Sequence, residues 1–388
     1  MTGDKRRGRS RRLKAAAAVV GCILVLAAAG AGWAYWHLNQ NIRSVDIDSA
    51  LGDDRPARAP VTVPTTAPSP SASASPLPTG VLNILVLGSD SRSGSENSAL
   101  GGGDSTGARS DTAMVVHLDA DRTKATVVSI PRDTLVTRPS CPTPSGGTTP
   151  TTYQAMFNSA YAIGGPVCAV KTVEQLTGVR MDHYIEIDFA GFAGLVDALG
   201  GVTVTTTQDI DDDRSHLHLD AGTHRLDGTQ ALAFARTRHG IGDGSDLGRI
   251  KLQQQLVAAL LKEAGKTDLL TDPAALYKMA DAVTGSLTTD TGLDSLGELR
   301  GLAQSLGAVP ATGLTTVTMP VVAAPSDPNR VVAQEPAASR LWESLRQGPK
   351  KSSGGVSIAA SPVRRKGERQ GKPPPSRTEE SPCRASCR

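Results

Sequence analysis

Apolar runs of strand length alternate with helix-like segments through the middle of the chain. Residues 81–88 are continuously apolar up to a glycine, and 112–119 and 124–133, separated by a turn-like segment, predict a hairpin. Further strands are predicted at 183–189, 202–206 and 314–319. Helical patterns are present at 157–163, 167–176, 189–199, 228–235, 249–263, 274–283 and 293–306. Because strands and helices alternate without strict βαβ regularity, we expect one α/β domain with a mixed sheet over residues 81–347.

The N-terminal region predicts a single membrane-spanning helix. Residues 15–36 are apolar throughout, and at a rise of about 1.5 Å per residue they reach roughly 33 Å, enough for a bilayer core. The segment ends in Trp33, Tyr35 and Trp36, which are typical of membrane interfaces. The basic residues 1–14 favour a cytoplasmic N-terminus, so we expect a single-pass protein of the cell membrane with an extracellular domain. A cleaved signal peptide is the alternative.

Two other segments have compositions that cannot form a hydrophobic core. Residues 37–80 include a Pro/Ser/Ala/Thr-rich stretch and are predicted to be an extracytoplasmic linker that lifts the domain off the membrane. Residues 348–388 predict a disordered basic tail, which either binds anionic wall polymer or lipid or results from a frameshift. The positive charge of the two basic ends exceeds the net charge of +3 of the whole chain, so the rest of the chain carries a net negative charge. We therefore expect no nucleic-acid partner for it.

Cysteine usage agrees with an outer location for the domain. Cys22 lies in the predicted span, whereas Cys141, Cys168, Cys383 and Cys387 follow it, on the side where thiols can be oxidised. A disulfide between Cys141 and Cys168 would staple a Pro/Thr/Gly-rich loop. Four cysteines allow three pairings, and two separate buried thiols are the alternative.

Aspartate and arginine residues recur at the ends of the predicted elements. GSDSR begins where the first strand ends, GARSDT leads into the second strand and IPRD ends the third, and strand ends are where open α/β sheets place their sites. FARTRH and DLGRIKLQQQ add further arginines and a glutamine. By contrast, the polar residues around His216 and His218 indicate a solvated loop.

These residue types suit phosphate chemistry. The carboxylates of Asp90 and Asp111 could ligate Mg²⁺, and arginine side chains match phosphate geometry bidentately. Since no serine or cysteine nucleophile accompanies them, the set points to direct phosphoryl transfer. Surface ion pairs and turn caps are the alternative for any one Asp/Arg pair.

The motifs GSDSR, RSDT, SIPRD, FNSAYAIGG, FARTR and DLGRIKLQQ, in this order behind one predicted span, resemble the LytR-CpsA-Psr family of cell-wall phosphotransferases. The resemblance covers residues 81–264. It implies an extracytoplasmic α/β/α sandwich with a central mixed β-sheet that binds a polyprenyl-pyrophosphate-linked glycopolymer. It also implies transfer of the glycopolymer phosphate to peptidoglycan with release of polyprenyl phosphate, as part of cell-wall biogenesis.

The resemblance assigns roles to individual residues. The metal-associated aspartates fall on Asp90 and Asp111, with Mg²⁺ as the expected cofactor. Asp90, Asp133 and Arg132 are the candidate catalytic residues, and the general base is the least defined role. The pyrophosphate-binding residues fall on Arg92, Arg109, Arg132, Arg236, Arg238, Arg249 and Gln253. Two departures from the family pattern, at Met156-Phe157 and at Leu252, leave the acceptor or polymer preference open.

Other functions use the same residues or a different motif. Hydrolysis of the pyrophosphate needs only water as the nucleophile, and a non-catalytic regulatory protein would bind the lipid pyrophosphate without turnover. A G-x-S-x-G pattern at 103–107 suggests a serine hydrolase, but it lies in a Gly/Ser-rich loop and leads into a strand, whereas a nucleophile elbow follows a strand and opens a helix. Nothing in the motifs names the glycopolymer.

Overall fold

The computed structural model describes residues 25–26, 28–58, 80–89, 110–143, 146–237, 246–264 and 273–347. The strands are β1 (Arg43–Val45), β2 (Leu82–Ser89), β3 (Ser110–Leu118), β4 (Ala125–Ile130), β5 (Leu135–Arg138), β6 (Thr152–Met156), β7 (His183–Asp188), β8 (Val202–Thr206), β9 (Ile210–Asp212), β10 (Leu217–Leu219), β11 (Gly222–Leu226), β12 (Leu287–Asp290), β13 (Leu314–Thr318), β14 (Val321–Ala324) and β15 (Asp327–Ala333). The helices are α1 (28–41), α2 (Ile47–Leu51), α3 (Asn158–Thr177), α4 (Phe189–Ala198), α5 (Gly228–Arg236), α6 (Asp246–Ala264), α7 (Pro273–Ser286), α8 (Leu296–Gly307) and α9 (Ala337–Gln347).

A seven-stranded sheet in the order β1, β12, β7, β2, β3, β4, β13 forms the centre of the fold. The pairs β2–β3, β3–β4 and β7–β12 are antiparallel, whereas β1–β12, β2–β7 and β4–β13 are parallel. The prediction of an α/β protein with a central mixed sheet is therefore confirmed, including the β3–β4 hairpin. Two-stranded sheets made by β5–β6, β8–β11, β9–β10 and β14–β15 surround it.

Strand β2 is apolar along its length because both of its faces are covered. Leu85 and Leu87 are fully buried in a core that includes residues of α3 and α9. Ile84 belongs to a second core, which includes Leu302 of α8. Helices thus pack against both faces of the central sheet.

Helix α3 corresponds to the two predicted helices 157–163 and 167–176. Gly164 and Gly165 have non-helical dihedral angles, and Pro166 follows them inside the helix. A proline cannot donate a main-chain hydrogen bond, so a kink at this point is expected. The sequence therefore predicted the interruption, and the structure joins the two halves into one kinked element.

The prediction that residues 37–80 form a linker is wrong for the N-terminal part of this range. Strand β1 pairs in parallel with β12, and Ile47 and Leu51 of α2 are buried in the core. The reason is that these short elements bury apolar side chains against partners far away in sequence, which local composition does not reveal. The domain therefore includes residues 43–58, and 59–79 lie outside the described residues.

Helix α1 extends past the predicted end of the span at Trp36 and its C-terminal end contacts the domain. Leu38 is buried, Asn39 Oδ1 accepts a hydrogen bond from the main-chain N–H of Leu296 at 3.0 Å, and Asn41 Nδ2 donates to Asp281 Oδ1 at 2.9 Å. Residues 15–24 and 27 of the span predicted at 15–36 lie outside the described residues. Within the described ranges, none of the helices combines the length and the apolar character needed to cross a bilayer.

Candidate active site

A cavity of about 420 Å³ lies beside the carboxyl ends of the parallel strands β2 and β7. Gly88, Ile187 and Thr112 of the central sheet line one side of it. Helices α4, α5 and α6 form the other walls, and most of their lining side chains are apolar: Phe189, Phe192, Leu195, Leu232, Leu256 and Leu260. A cavity with such walls is suited to enclosing part of a hydrocarbon chain.

Asp188 connects the sheet to the first wall of the cavity. It is the last residue of β7 and the N-cap of α4, where its Oδ1 accepts the main-chain N–H of Gly191 at 2.8 Å. Because this cap fixes where α4 begins, Phe189 and Phe192 face the cavity. A Cβ atom on Gly191 would lie 1.7 Å from Ser286 Cβ, so glycine is required for the close packing of α4 on α7.

Arg236 ends helix α5 at the cavity wall. This helix starts with a capping box between Asp227 and Gln230, which accounts for its N-terminus. The Arg236 guanidinium lies 5.0 Å from the centre of the Phe189 ring, a cation–π contact that positions the charge beside the apolar wall.

Arg249 and Gln253 lie one helical turn apart on α6 and both line the cavity. They are only 3% and 7% exposed. Gln253 Nε2 donates to the main-chain oxygen of Ala235 at 3.0 Å, which ties α6 to the last turn of α5. The structure therefore brings Arg236, Arg249 and Gln253, three of the predicted pyrophosphate-binding residues, to one cavity.

The hairpin β9–β10 contributes residues that the sequence analysis missed. Asp212, Arg214 and Ser215 line the cavity, and Asp212 is only 2% exposed. The main-chain N–H of Arg214 donates to Asp212 Oδ1 at 3.0 Å. Ser215 Oγ and Thr237 Oγ1 are 2.8 Å apart, so the hairpin is bonded to the residue that follows Arg236. The expected solvated loop is thus wrong for Asp212.

Arg132 and Asp133 form a turn beside the N-terminus of α3. Arg330 Nη1 of β15 donates to Asp133 Oδ1 at 3.0 Å, and Arg132 Nε lies 3.8 Å from Asp133 Oδ2. The main-chain N–H of Asn158 donates to the Arg132 oxygen at 3.2 Å. These contacts tie the PRD segment to two neighbouring elements, and neither Arg132 nor Asp133 is among the residues that line the cavity. Their catalytic roles stay predictions.

Most of the remaining predicted site residues lie outside the part of the chain that the structure describes. Asp90, Arg92, Arg109 and Arg238 are outside the described residues. The main chain of Asp111 is described in β3, where Gly88 pairs with Thr112 and Ser89 pairs with Ser110. Asp111 is therefore the extra residue of a bulge opposite the end of β2, next to Thr112 of the cavity lining. Bulges of this kind often re-aim side chains near sites.

A disulfide joins Cys141 to Cys168. It connects the segment after β5 to the second half of α3, and both residues are fully buried. A Cβ atom on Gly164 would lie 2.6 Å from Cys168 Cβ, so the glycine at the kink of α3 makes room for the disulfide.

Tyr161 of the FNSAYAIGG motif binds a buried carboxylate. Its hydroxyl donates to Glu186 Oε1 at 2.5 Å, and the Tyr184 hydroxyl donates to Glu186 Oε2 at 2.7 Å. Burial and the negative charge of Glu186 raise the pKa of Tyr184 well above its ordinary value, so its hydroxyl stays protonated as a donor. The motif tyrosine thus fixes α3 to β7, the strand that carries Asp188.

The mixed α/β fold with an apolar, arginine-containing cavity is that of a protein that binds an anionic ligand with an apolar part. The profile of the LytR_cpsA_psr family matches residues 34–347, and the chain belongs to this family. That range starts within α1, in agreement with a domain that includes β1 and α2.

Individual relatives agree with this assignment. The chain is 35% identical over 271 residues to the "Probable cell wall biosynthesis protein LcpB" of Corynebacterium glutamicum, covering 68% of this chain and 61% of that protein. It is 34% identical to the "Polyisoprenyl-teichoic acid--peptidoglycan teichoic acid transferase TagU" of Halalkalibacterium halodurans, covering 60% of this chain and 69% of the relative. The chain thus spans about three fifths of the length of LcpB.

A solved structure shows the same fold. The "LytR-Csp2A-Psr enzyme from Actinomyces oris" superposes with a TM-score of 0.53 at 25% identity, over 75% of this chain and 96% of that one.

Proposed function

We propose that this chain is a membrane-anchored extracellular phosphotransferase that moves a glycopolymer phosphate from a polyprenyl-pyrophosphate carrier to peptidoglycan. The observation that carries the proposal is the cavity in which Arg236, Arg249 and Gln253 adjoin an apolar wall. A polyprenyl pyrophosphate has the matching two parts, a hydrocarbon tail and a negatively charged group of two linked phosphates. The relative named as a polyisoprenyl-teichoic acid transferase supports the same substrate class.

In the proposed reaction, the tail lies along Phe192, Leu195 and Leu256, and the arginines bind phosphate oxygens. The oxygen of an acceptor hydroxyl attacks the phosphorus nearest the sugar. The new P–O bond forms as the bond to the bridging oxygen breaks, and polyprenyl phosphate leaves with that electron pair. The hydroxyl proton passes to a base, for which Asp90 and Asp133 are the candidates.

The proposal includes Mg²⁺ as cofactor. Asp90 directly follows β2 and Asp111 lies in the bulge of β3 opposite the end of that strand. Aspartate carboxylates supply the oxygen ligands that Mg²⁺ prefers, so the donor set fits the ion. Asp90 and Asp111 would hold it, and when bound it would supply positive charge to the phosphate oxygens.

The location at the membrane is part of the proposal. Residues 15–36 are apolar and follow a basic N-terminus, and helix α1 carries the chain from this segment to contacts on α7 and α8. Trp33 and Trp36, 59% and 60% exposed on α1, suit a membrane interface.

The reaction is tested with the full-length protein in detergent micelles. The protein is incubated with a polyprenyl-pyrophosphate-linked oligosaccharide and peptidoglycan glycan strands, with Mg²⁺ or with EDTA, and mass spectrometry follows the acceptor and the released polyprenyl phosphate. Arg249→Ala removes a buried cavity arginine, and Arg340→Ala removes an exposed arginine of α9 that does not line the cavity.

Metal-dependent mass gain on the acceptor that is lost in Arg249→Ala and kept in Arg340→Ala supports the transferase. Release of polyprenyl phosphate without a modified acceptor would instead identify a pyrophosphate hydrolase. Binding of the carrier with neither product would identify a non-catalytic regulatory protein.

A further inference from the structure

The three arginines that line the cavity differ in solvent exposure. Arg249 is 3% exposed, Arg236 is half-buried and Arg214 is exposed. All three line the same cavity, so together they mark a path from its interior to its mouth. Arg214 lies at the mouth because its side chain contacts both the cavity and bulk solvent.

Arg214 also contributes to an excess of arginine over aspartate among the described lining residues. The charged residues among the described lining are Arg214, Arg236, Arg249, Asp188 and Asp212. Three arginines against two aspartates leave one positive charge in excess among the described lining residues, and Arg214 is the most exposed of the three arginines. A bound diphosphate carries negative charge that this excess would complement.

The hairpin holds Arg214 in a defined place. Its main-chain N–H is bonded to the buried Asp212, and the next residue, Ser215, is bonded to Thr237 beyond the end of α5. Within the described part of the chain, the Arg214 guanidinium has no carboxylate partner. The main chain is therefore fixed while the side chain is available to a ligand.

We propose that Arg214 binds the sugar-side phosphate of the carrier lipid and so makes the site selective for a pyrophosphate over a monophosphate. This inference rests on the proposed function. The glycopolymer is too large to enter the cavity, so the phosphate attached to it lies nearer the solvent than the phosphate attached to the lipid. The exposed Arg214 faces the first of these, and the buried Arg249 serves the second.

The test measures binding of two lipids that differ by one phosphate. Geranylgeranyl pyrophosphate and geranylgeranyl monophosphate are titrated into the full-length protein in detergent micelles. The variants are Arg214→Ala, Arg214→Lys and Arg249→Ala, with Arg340→Ala as the matched control on an exposed surface. Because Arg214 is exposed, its replacement is not expected to disturb folding, which circular dichroism checks.

Arg214→Ala is expected to weaken pyrophosphate binding at least about tenfold, the typical effect of one charge-assisted hydrogen bond, and to leave monophosphate binding within about twofold. Arg214→Lys retains part of the selectivity, and Arg249→Ala weakens binding of both lipids. Equal losses for both lipids in Arg214→Ala, or no loss for either, would overturn the inference and leave the proposed function intact. If the unmodified protein binds neither lipid, the proposed function fails, and this inference fails with it.

Discussion

Arg55 and Glu174 form a buried ion pair, with Arg55 Nη2 2.6 Å from Glu174 Oε1 and side chains only 2% and 3% exposed. Arg55 Nη2 also donates to the main-chain oxygen of Met181 at 2.7 Å, and Glu174 Oε1 accepts the main-chain N–H of Met181 at 2.9 Å. The pair therefore connects the segment after α2 to α3 and to the start of β7.

Replacing Arg55 is expected to destabilise the domain strongly. In Arg55→Ala the Glu174 carboxylate stays buried without its cation, which typically costs about 3–5 kcal/mol. Chemical denaturation of the purified protein measures this change in the free energy of unfolding. Arg58→Ala is the control, because Arg58 is 62% exposed and lies 3.7 Å from the exposed Asp48. Equal stability of the two variants would mean that residues 43–58 are not part of the cooperative unit.

Two glycines of α4 are expected to respond in opposite ways to alanine. Gly191→Ala places a methyl group 1.7 Å from Ser286 Cβ and overpacks the α4–α7 contact, at a cost of about 1–3 kcal/mol. Gly194→Ala places its methyl group at 3.5 Å from Ala282 Cβ, an ordinary contact, and gains up to about 1 kcal/mol from helix propensity. Thermal melting of both variants measures the difference.

The double variant Gly191→Ala with Ser286→Gly separates overpacking from other effects of the substitution. Removing the Ser286 side chain relieves the clash, so the double variant should recover stability relative to Gly191→Ala alone. Additive losses in the double variant would show that the α4–α7 contact is not the cause.

The disulfide is expected to stabilise the domain by restricting the unfolded chain. Cys141 and Cys168 are 27 residues apart in sequence, and closing a loop of this length is worth about 3–4 kcal/mol in the chain-entropy account. The variant Cys141→Ser/Cys168→Ser should melt at a lower temperature than the unmodified protein. Its melting temperature should not change on adding reductant, whereas that of the unmodified protein should fall. The other cysteines are the internal control, since a fall in both proteins would assign the effect to them.

Stability is expected to decrease below neutral pH through His117. Burial lowers the pKa of His117 below its ordinary value of 6.5, although the nearby Asp119 acts in the opposite direction. The unfolded chain therefore binds the proton at higher pH than the folded protein does. The contribution of neutral His117 is complete above about pH 6.5 and is lost progressively as the pH falls towards the folded-state pKa.

The variant His117→Gln tests this assignment. Its side chain can still bond to Asn83 Oδ1, which lies 2.7 Å from His117 Nδ1, but it does not titrate. Unfolding free energies between pH 5 and 7 should depend less on pH in the variant. Parallel profiles in the two proteins would show that His117 is not the cause of the pH dependence.

The elements that could be predicted from the sequence are those in which a local pattern of apolar residues indicates which side chains are buried. Strand β2 is mostly apolar, β4 belongs to the predicted hairpin, and the boundaries of both agree with the predictions to within a few residues. Strand β1 has three residues, and its partner Thr288–Asp290 is distant in sequence, so no local signal marks it. Helix α9 was also missed, although its buried Ala338, Trp342 and Leu345 have helical spacing, because the basic tail that follows obscured this pattern.

The site was predictable where a residue type repeats within a motif. Arg236, Arg249 and Gln253 were identified and lie at one cavity. Asp212 and Arg214 were missed because Asp212 ends a three-residue strand and Arg214 follows it, in an acidic, histidine-containing segment typical of solvated loops. Only the tertiary packing of the hairpin against α5 reveals that Asp212 is buried.

The Pro/Ser-rich residues 59–79 begin after the ion-paired Arg55 and end at Gly80, whose main-chain oxygen accepts a hydrogen bond from Arg122 Nη1 at 2.7 Å. The chain thus leaves and re-enters the same domain, so this segment is an insertion and not a tether to the membrane. In a protein anchored as proposed, lengthening or shortening it would leave the height of the cavity above the bilayer unchanged. In the proposed anchored protein, the contacts of Asn39 and Asn41 set that height. The site then lies at a constant distance from the lipid surface, and the acceptor glycan has to approach it there.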